Sequence, residues 1–141
     1  MSKVRVLVVD DHAIVRHTVC SLLTREPAVN VICQTASGEE AIKKAQELQP
    51  DLILLDIGLP GISGIDAARE IRVVSPDSKI LFLSQHDSVE MAREAFKVGG
   101  HGYVVKIDAA AELLSAVREV CSGRQFASKR LSDQGWKMDS L

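Results

Sequence analysis

Short apolar runs recur five times along the chain, and each is followed by a segment whose apolar residues return every three to four positions. The runs are "VRVLVV" (4–9), "VNVIC" (29–33), "LILL" (52–55), "ILFL" (80–83) and "YVV" (103–105). Most are rich in β-branched or aromatic residues. A run that is apolar at every position has no solvated face, so it reads as a strand buried on both sides of a parallel sheet. The intervening segments have helical period. Val15, Val19, Leu22 and Leu23 fall on one face of the first. The second opens with "SGEE", a capping box from Ser37 to Glu40, and buries Ala41, Ala45 and Leu48. The third follows "GISG" with Ile65, Ala68 and Ile71; the fourth starts at Asp87 or Ser88 and stops at Gly99 and Gly100. The fifth starts near Asp108, repeats at Leu113, Val117, Val120 and Cys121, and stops at Gly123.

Strict β–α alternation predicts an α/β fold with helices on both faces of the sheet. Right-handed crossovers leave few topologies, and a flavodoxin-like doubly wound five-stranded parallel sheet, order 2-1-3-4-5, is the expected one. At 141 residues the chain fits one core. Ligands in such sheets bind beyond the carboxyl ends of the strands, where the strand order reverses.

Those ends carry an unusual set of groups. Strand one stops at Asp10 and Asp11, strand three at Asp56, strand four at Ser84 and strand five at Lys106, whereas strand two ends in the uncharged "QTAS". Two carboxylates ~4–5 Å apart repel by roughly 3–4 kcal/mol at an effective dielectric near 20. Taken singly, Asp10 and Asp11 could cap a helix, Asp56 could serve the turn at "GLPG", and Ser84 and Lys106 could be solvated strand ends. On one rim, three acids instead ask for a cation. Magnesium suits an all-oxygen site that keeps waters and takes a phosphate oxygen, although residue type alone does not exclude calcium.

The segments "VVDDHAIVR", "LLDIGLPGISG", "FLSQHD" and "GYVVK" together resemble the receiver domain of bacterial response regulators. The spellings "DDHAIVR", "LSQHD" and "LLSAVREVCSGRQFAS" are similar to the NarL/FixJ branch, over roughly residues 3–125. The resemblance implies a Mg2+-dependent switch. Asp56 would accept a phosphoryl group from a sensor histidine kinase or a phosphotransfer protein. Asp10, Asp11, Asp56 and the Gly58 carbonyl would hold the metal, Ser84 and Lys106 would bind the phosphoryl oxygens, and Ser84 with Tyr103 would relay the change to the surface of helix four, strand five and helix five. It also allows a phosphorylation-dependent homodimer. The chain would thus be no enzyme beyond assisting its own phosphorylation and dephosphorylation. One departure is Ile107, which stands where the wider family often has proline after the lysine.

Two rivals share parts of this pattern. A haloacid dehalogenase-type phosphatase places a second acid two residues after its aspartyl nucleophile; here Ile57 and Gly58 follow Asp56. A flavin-binding module needs a neutral loop after strand one, and "DDHAIVR" would repel its phosphate.

His12 and His86 lie beside the expected site as solvated or locally bonded groups, with control of water access to an acyl phosphate as the alternative for His86. His17 and His101 carry no assignment. Cys20, Cys33 and Cys121 have neither metal-ligand nor CxxC spacing and read as small hydrophobes in apolar stretches. A net charge of −2 gives no general polyanion binder, no apolar run approaches a membrane span, and "MSKVRVLVV" lacks the form of a signal peptide, so a cytoplasmic location is expected. Residues 1–125 read as the phosphoacceptor domain. Residues 126–141 read as a C-terminal tail or the start of a linker to an absent effector domain. The segment "RQFASKRLSDQGWKMDSL" is too short for a helix-turn-helix, so DNA would be reached only through such an added domain, the alternative being a stand-alone receiver. Trp136 could dock on the body or stay free of it.

Overall fold

The computed structural model describes residues 3–137; the ends of the expected 1–125 and 126–141 segments, residues 1–2 and 138–141, lie outside the described residues. Five strands, β1 (Val4–Val9), β2 (Val29–Thr35), β3 (Leu52–Asp56), β4 (Lys79–Ser84) and β5 (Gly102–Val105), pair in parallel in the order β2-β1-β3-β4-β5. A sixth short strand, β6 (Phe126–Ala127), extends the expected sheet beyond β5. Helices α1 (Ala13–Leu23), α2 (Gly38–Leu48), α3 (Gly64–Val74), α4 (Val89–Lys97) and α5 (Ala109–Cys121) connect the strands, and a single turn, α6 (Lys129–Ser132), follows β6.

The two faces of β3 show why its sequence is apolar throughout. Ile53 and Leu55 join a core with Ala41, Ala45, Ala67, Ala68, Ile71 and Phe96 of α2, α3 and α4. Leu52 and Leu54 join a separate core with Val19, Leu22 and Leu23 of α1 and Leu113, Val117 and Val120 of α5. Each such buried Leu or Ile contributes roughly 1.5–3 kcal/mol relative to leaving it exposed. The central strand β3 has no wet side, so only its end remains for polar chemistry.

Serine hydroxyls cap three of the helices. The hydroxyls of Ser37, Ser63 and Ser88 accept hydrogen bonds from the backbone N–H of Glu40, Asp66 and Met91 at 3.2, 3.1 and 3.2 Å. Ser88 rather than Asp87 therefore caps α4. Gly99, at φ +99°, ends that helix in a left-handed conformation. Gly64 has a different role: a Cβ there would run into the backbone of Asp56 and Ile57, so α3 starts directly against the end of β3.

One sequence reading needs correction. Cys121 is exposed, while Cys20 and Cys33 are half-buried; at about 100° per residue, position 121 falls at the edge of the stripe that Leu113, Ala116, Val117 and Val120 bury. Part of the segment after residue 125 is packed, with Leu131 and Trp136 in the core that contains Phe96 and Tyr103. No helix among the described residues is long and apolar enough to cross a membrane.

Candidate functional site

Sheet register sets the positions of the site residues. Val9 pairs with Leu55, Asp56 with Leu83, and Ser84 with Val105. The chain therefore leaves β1, β3, β4 and β5 on one rim, and Asp10, Asp56, Ser84 and Lys106 meet there. Asp10 and Asp56 are almost fully buried, at 1% and 3% exposure.

Lys106 opens a 3-10 turn (Lys106–Asp108) and reaches back between the acids. Its Nζ lies 2.9 Å from Asp10 Oδ2 and 3.2 Å from Asp56 Oδ1. The backbone N–H of Gly58 also donates to Asp56 Oδ1, at 3.2 Å. Burial pushes the Asp56 carboxyl above the usual range; the Lys106 charge opposes this and the Asp10 charge adds to it. Burial alone would lower the Lys106 ammonium, but its hydrogen bond to Asp10 and the Asp56 charge outweigh burial and raise it. One cation is thus shared by two buried carboxylates.

Asp10 and Asp11 do not cap α1 with their side chains. The N-cap is His12, whose own backbone N–H donates to Asp10 Oδ1 at 2.9 Å. Its Nδ1 stands 3.4 Å from Asp11 Oδ1 and 3.6 Å from Asp10 Oδ1. Arg16 donates from Nη1 to the Asp10 carbonyl at 2.6 Å and so anchors the end of β1 from α1. Helical spacing is the one sign of that anchor legible in the sequence. Asp11 Oδ1 is buried with no hydrogen-bond partner among the described residues. Asp10, Asp11, His12 and Asp56 each offer one ligand atom, all within 4.8 Å of one another. Buried, underserved carboxylate oxygens fit a hard divalent cation.

Ser84 is buried at the end of β4, and its hydroxyl accepts a hydrogen bond from the His86 N–H at 3.0 Å. Tyr103 is wholly buried and donates from its hydroxyl to the His86 carbonyl at 2.8 Å. Both residues expected to act in switching therefore hold the same short stretch of the β4–α4 loop. The His86 side chain itself is exposed. It lines a small cleft with His12, Asp56, Gly58, Ser84, Gln85 and Lys106. Ile107, in the position where proline was noted as common, is 78% exposed. His101 lies away from this rim, and its Nδ1 accepts the Ile80 N–H at 3.1 Å.

Comparison with known proteins agrees with the geometry. The model of the response regulator receiver domain family matches residues 6–118. Response regulator GacA of Pseudomonas viridiflava is 36% identical over 131 residues, covering 93% of this chain and 61% of that protein. The chain spans about three fifths of the length of the curated relatives it matches. A crystal structure of a two-component response regulator of the LuxR family from Aurantimonas sp. SI85-9A1 gives a TM-score of 0.88 at 34% identity, over 95% of this chain and 99% of that one. The signal receiver domain of the response regulator NarL from Mycobacterium tuberculosis gives 0.83 at 31% identity, over 88% and 100%. The family match runs from within β1 to within α5 and so takes in every strand end described above; the chain belongs to the response regulator receiver domain family of two-component signalling.

Proposed function

We propose that this receiver is switched by phosphorylation of Asp56, with a histidine kinase or phosphotransfer protein as donor. The observation that carries the reading is the single Lys106 ammonium set between Asp10 and Asp56, beside a buried Asp11 oxygen that makes no hydrogen bond among the described residues. A carboxylate oxygen of Asp56 attacks the phosphorus in line. The O–P bond forms as the P–N bond of the donor's phosphohistidine breaks. The electron pair goes back to the imidazole nitrogen, which takes up a proton.

Little covalent work falls to the protein in such a transfer, so placement and charge dominate. The carboxylates of Asp10, Asp11 and Asp56 and the carbonyl of Gly58 would hold magnesium, which would supply charge neutralisation to the phosphoryl oxygens. Lys106 is already poised to pair with those oxygens. Ser84 turns its hydroxyl from the His86 N–H to donate to the phosphoryl group, and Tyr103 adjusts with the loop. The altered surface is the one built by α4, β5 and α5. The chain promotes only its own phosphorylation and dephosphorylation. A cytoplasmic setting, a phosphorylation-dependent homodimer, and transcriptional output through DNA-binding sequence outside residues 1–141 complete the reading.

Intact-mass measurement after incubation with acetyl phosphate and Mg2+ tests it. The wild type is expected to gain the mass of one phosphoryl group, and Asp56→Asn is expected to gain none. An adduct of equal yield on the variant would overturn the assignment.

A further inference from the structure

Residues 126–136 form a strap over the face that the switch alters, and each of its parts holds a different piece of that face. β6 pairs with β5, and the Ser128 N–H donates to the Tyr103 carbonyl at 2.9 Å. The Ser128 hydroxyl, fully buried, accepts the Val105 N–H at 2.8 Å and donates to Glu112 of α5 at 2.6 Å. It thus secures the residue just before Lys106. Arg130 makes two 3.0 Å contacts with the carboxylate of Asp108. Gln134 donates from Nε2 to the carbonyl of Asp87 at 2.9 Å. Trp136 then stacks on Phe96 of α4, with ring centroids 5.4 Å apart and planes at 25°.

The anchoring of the β4–α4 loop is the important feature. Ser84 holds the N–H of His86, Tyr103 holds its carbonyl, and Gln134 holds the next carbonyl along. A loop gripped at consecutive peptides by the site and by the strap cannot shift toward one without straining the other. We propose that residues 126–136 are a phosphorylation-sensitive strap: they dock on the α4–β5 face while Ser84 holds His86, and the Trp136 end lifts when Ser84 turns to the phosphoryl group. This rests on the reading of Asp56 as the phosphoacceptor.

Two features make the Trp136 end the part that lifts. The indole N–H is buried without a hydrogen-bond partner among the described residues, so release to water regains a bond the docked state lacks. The other end is secured by strand pairing and by Ser128, which have no such deficit. Lifting would uncover Phe96 and offer an aromatic face on α4 to a partner. Linkage makes the effect mutual, because whatever weakens docking must favour the occupied site.

Trp136 is the only tryptophan in the sequence, so its emission reports the strap directly. The full chain is titrated with beryllofluoride and Mg2+, and occupancy is followed independently by fluorine NMR. Bound beryllofluoride is expected to shift Trp136 emission to the red and raise its quenching by acrylamide; Asp56→Asn is expected to show neither. Gln134→Ala, an exposed substitution, should start partly released and bind beryllofluoride several-fold more tightly. Occupancy with unchanged emission and quenching would overturn the strap and leave the phosphoacceptor reading intact. Failure of beryllofluoride to bind would overturn both. Unchanged affinity in Gln134→Ala would overturn the coupling.

Discussion

The two ends of the sheet are made of the same strands but treat polar groups in opposite ways. At the amino end the groups are satisfied. Arg5 donates to the carbonyls of Leu48 and Gln49, Asp51 accepts the Arg5 N–H, and Ser78 bonds both Ser75 and the Pro50 carbonyl. His101 accepts the Ile80 N–H there and is held neutral, its pKa lowered to about 4 by burial and by the charges of Lys79 and Arg72. At the carboxyl end, two buried acids share one lysine and a third has a buried oxygen that makes no hydrogen bond among the described residues. One end contributes to stability, whereas the other keeps in place a repulsion that a divalent cation would relieve.

Substitution at each end can break that contrast. The largest expected effect is Asp56→Asn, which should lose the phosphoryl adduct altogether yet gain about 1 kcal/mol of stability at neutral pH. The folded protein favours the neutral form of this carboxyl, whose pKa is raised. Its contribution to stability therefore falls as pH climbs from the unfolded value of 3.8 through the raised one, and the advantage of Asn should vanish in acid. Urea unfolding at neutral and acid pH reads this; a destabilised Asn variant at neutral pH would refute the contrast. Lys106→Met comes next, with a loss of about 3 kcal/mol because it leaves two buried carboxylates facing each other. Adding Asp10→Asn should restore much of that loss, and a double-mutant cycle without coupling would show that the lysine is not shared.

The amino end should respond in stability alone. The folded pKa of His101 lies below its unfolded 6.5, so its contribution is present above 6.5 and lost as pH falls toward about 4. Unfolding experiments across that window should show a decline of about 2 kcal/mol, largely removed by His101→Gln. Ser78→Ala should cost about 1 kcal/mol through its lost bonds and leave phosphorylation by acetyl phosphate unchanged. A matching loss of phosphorylation would mean that the two ends are coupled through the strands.

The first five strands were legible because burial on both faces leaves a mark on every residue of a run, as in "LILL". The rim was legible because parallel strands end together, so charges at the ends of separate runs must converge. Neither argument reaches β6 and α6. Phe126–Ala127 is too short to show a period, and the polar sequence around it gives no sign that Ser128 will complete the edge of β5. The docking of Trp136 depends on Phe96, forty residues earlier in the chain, and no local pattern encodes that. Likewise, His86 shows in the sequence as a side chain near the site, whereas in the structure its peptide group is what Ser84 and Tyr103 hold.

The bare backbone at Gly64 has a consequence for the proposed acceptor, Asp56. Since α3 abuts the carbonyl of Asp56 with no atoms to spare, a single methyl at position 64 would act as a wedge beneath that aspartate. Such a change alters no charge and contacts no phosphate, yet it would lever the proposed nucleophile out of line. In the proposed transfer, the aim of Asp56 would thus be set in part by a carbon atom that is not there.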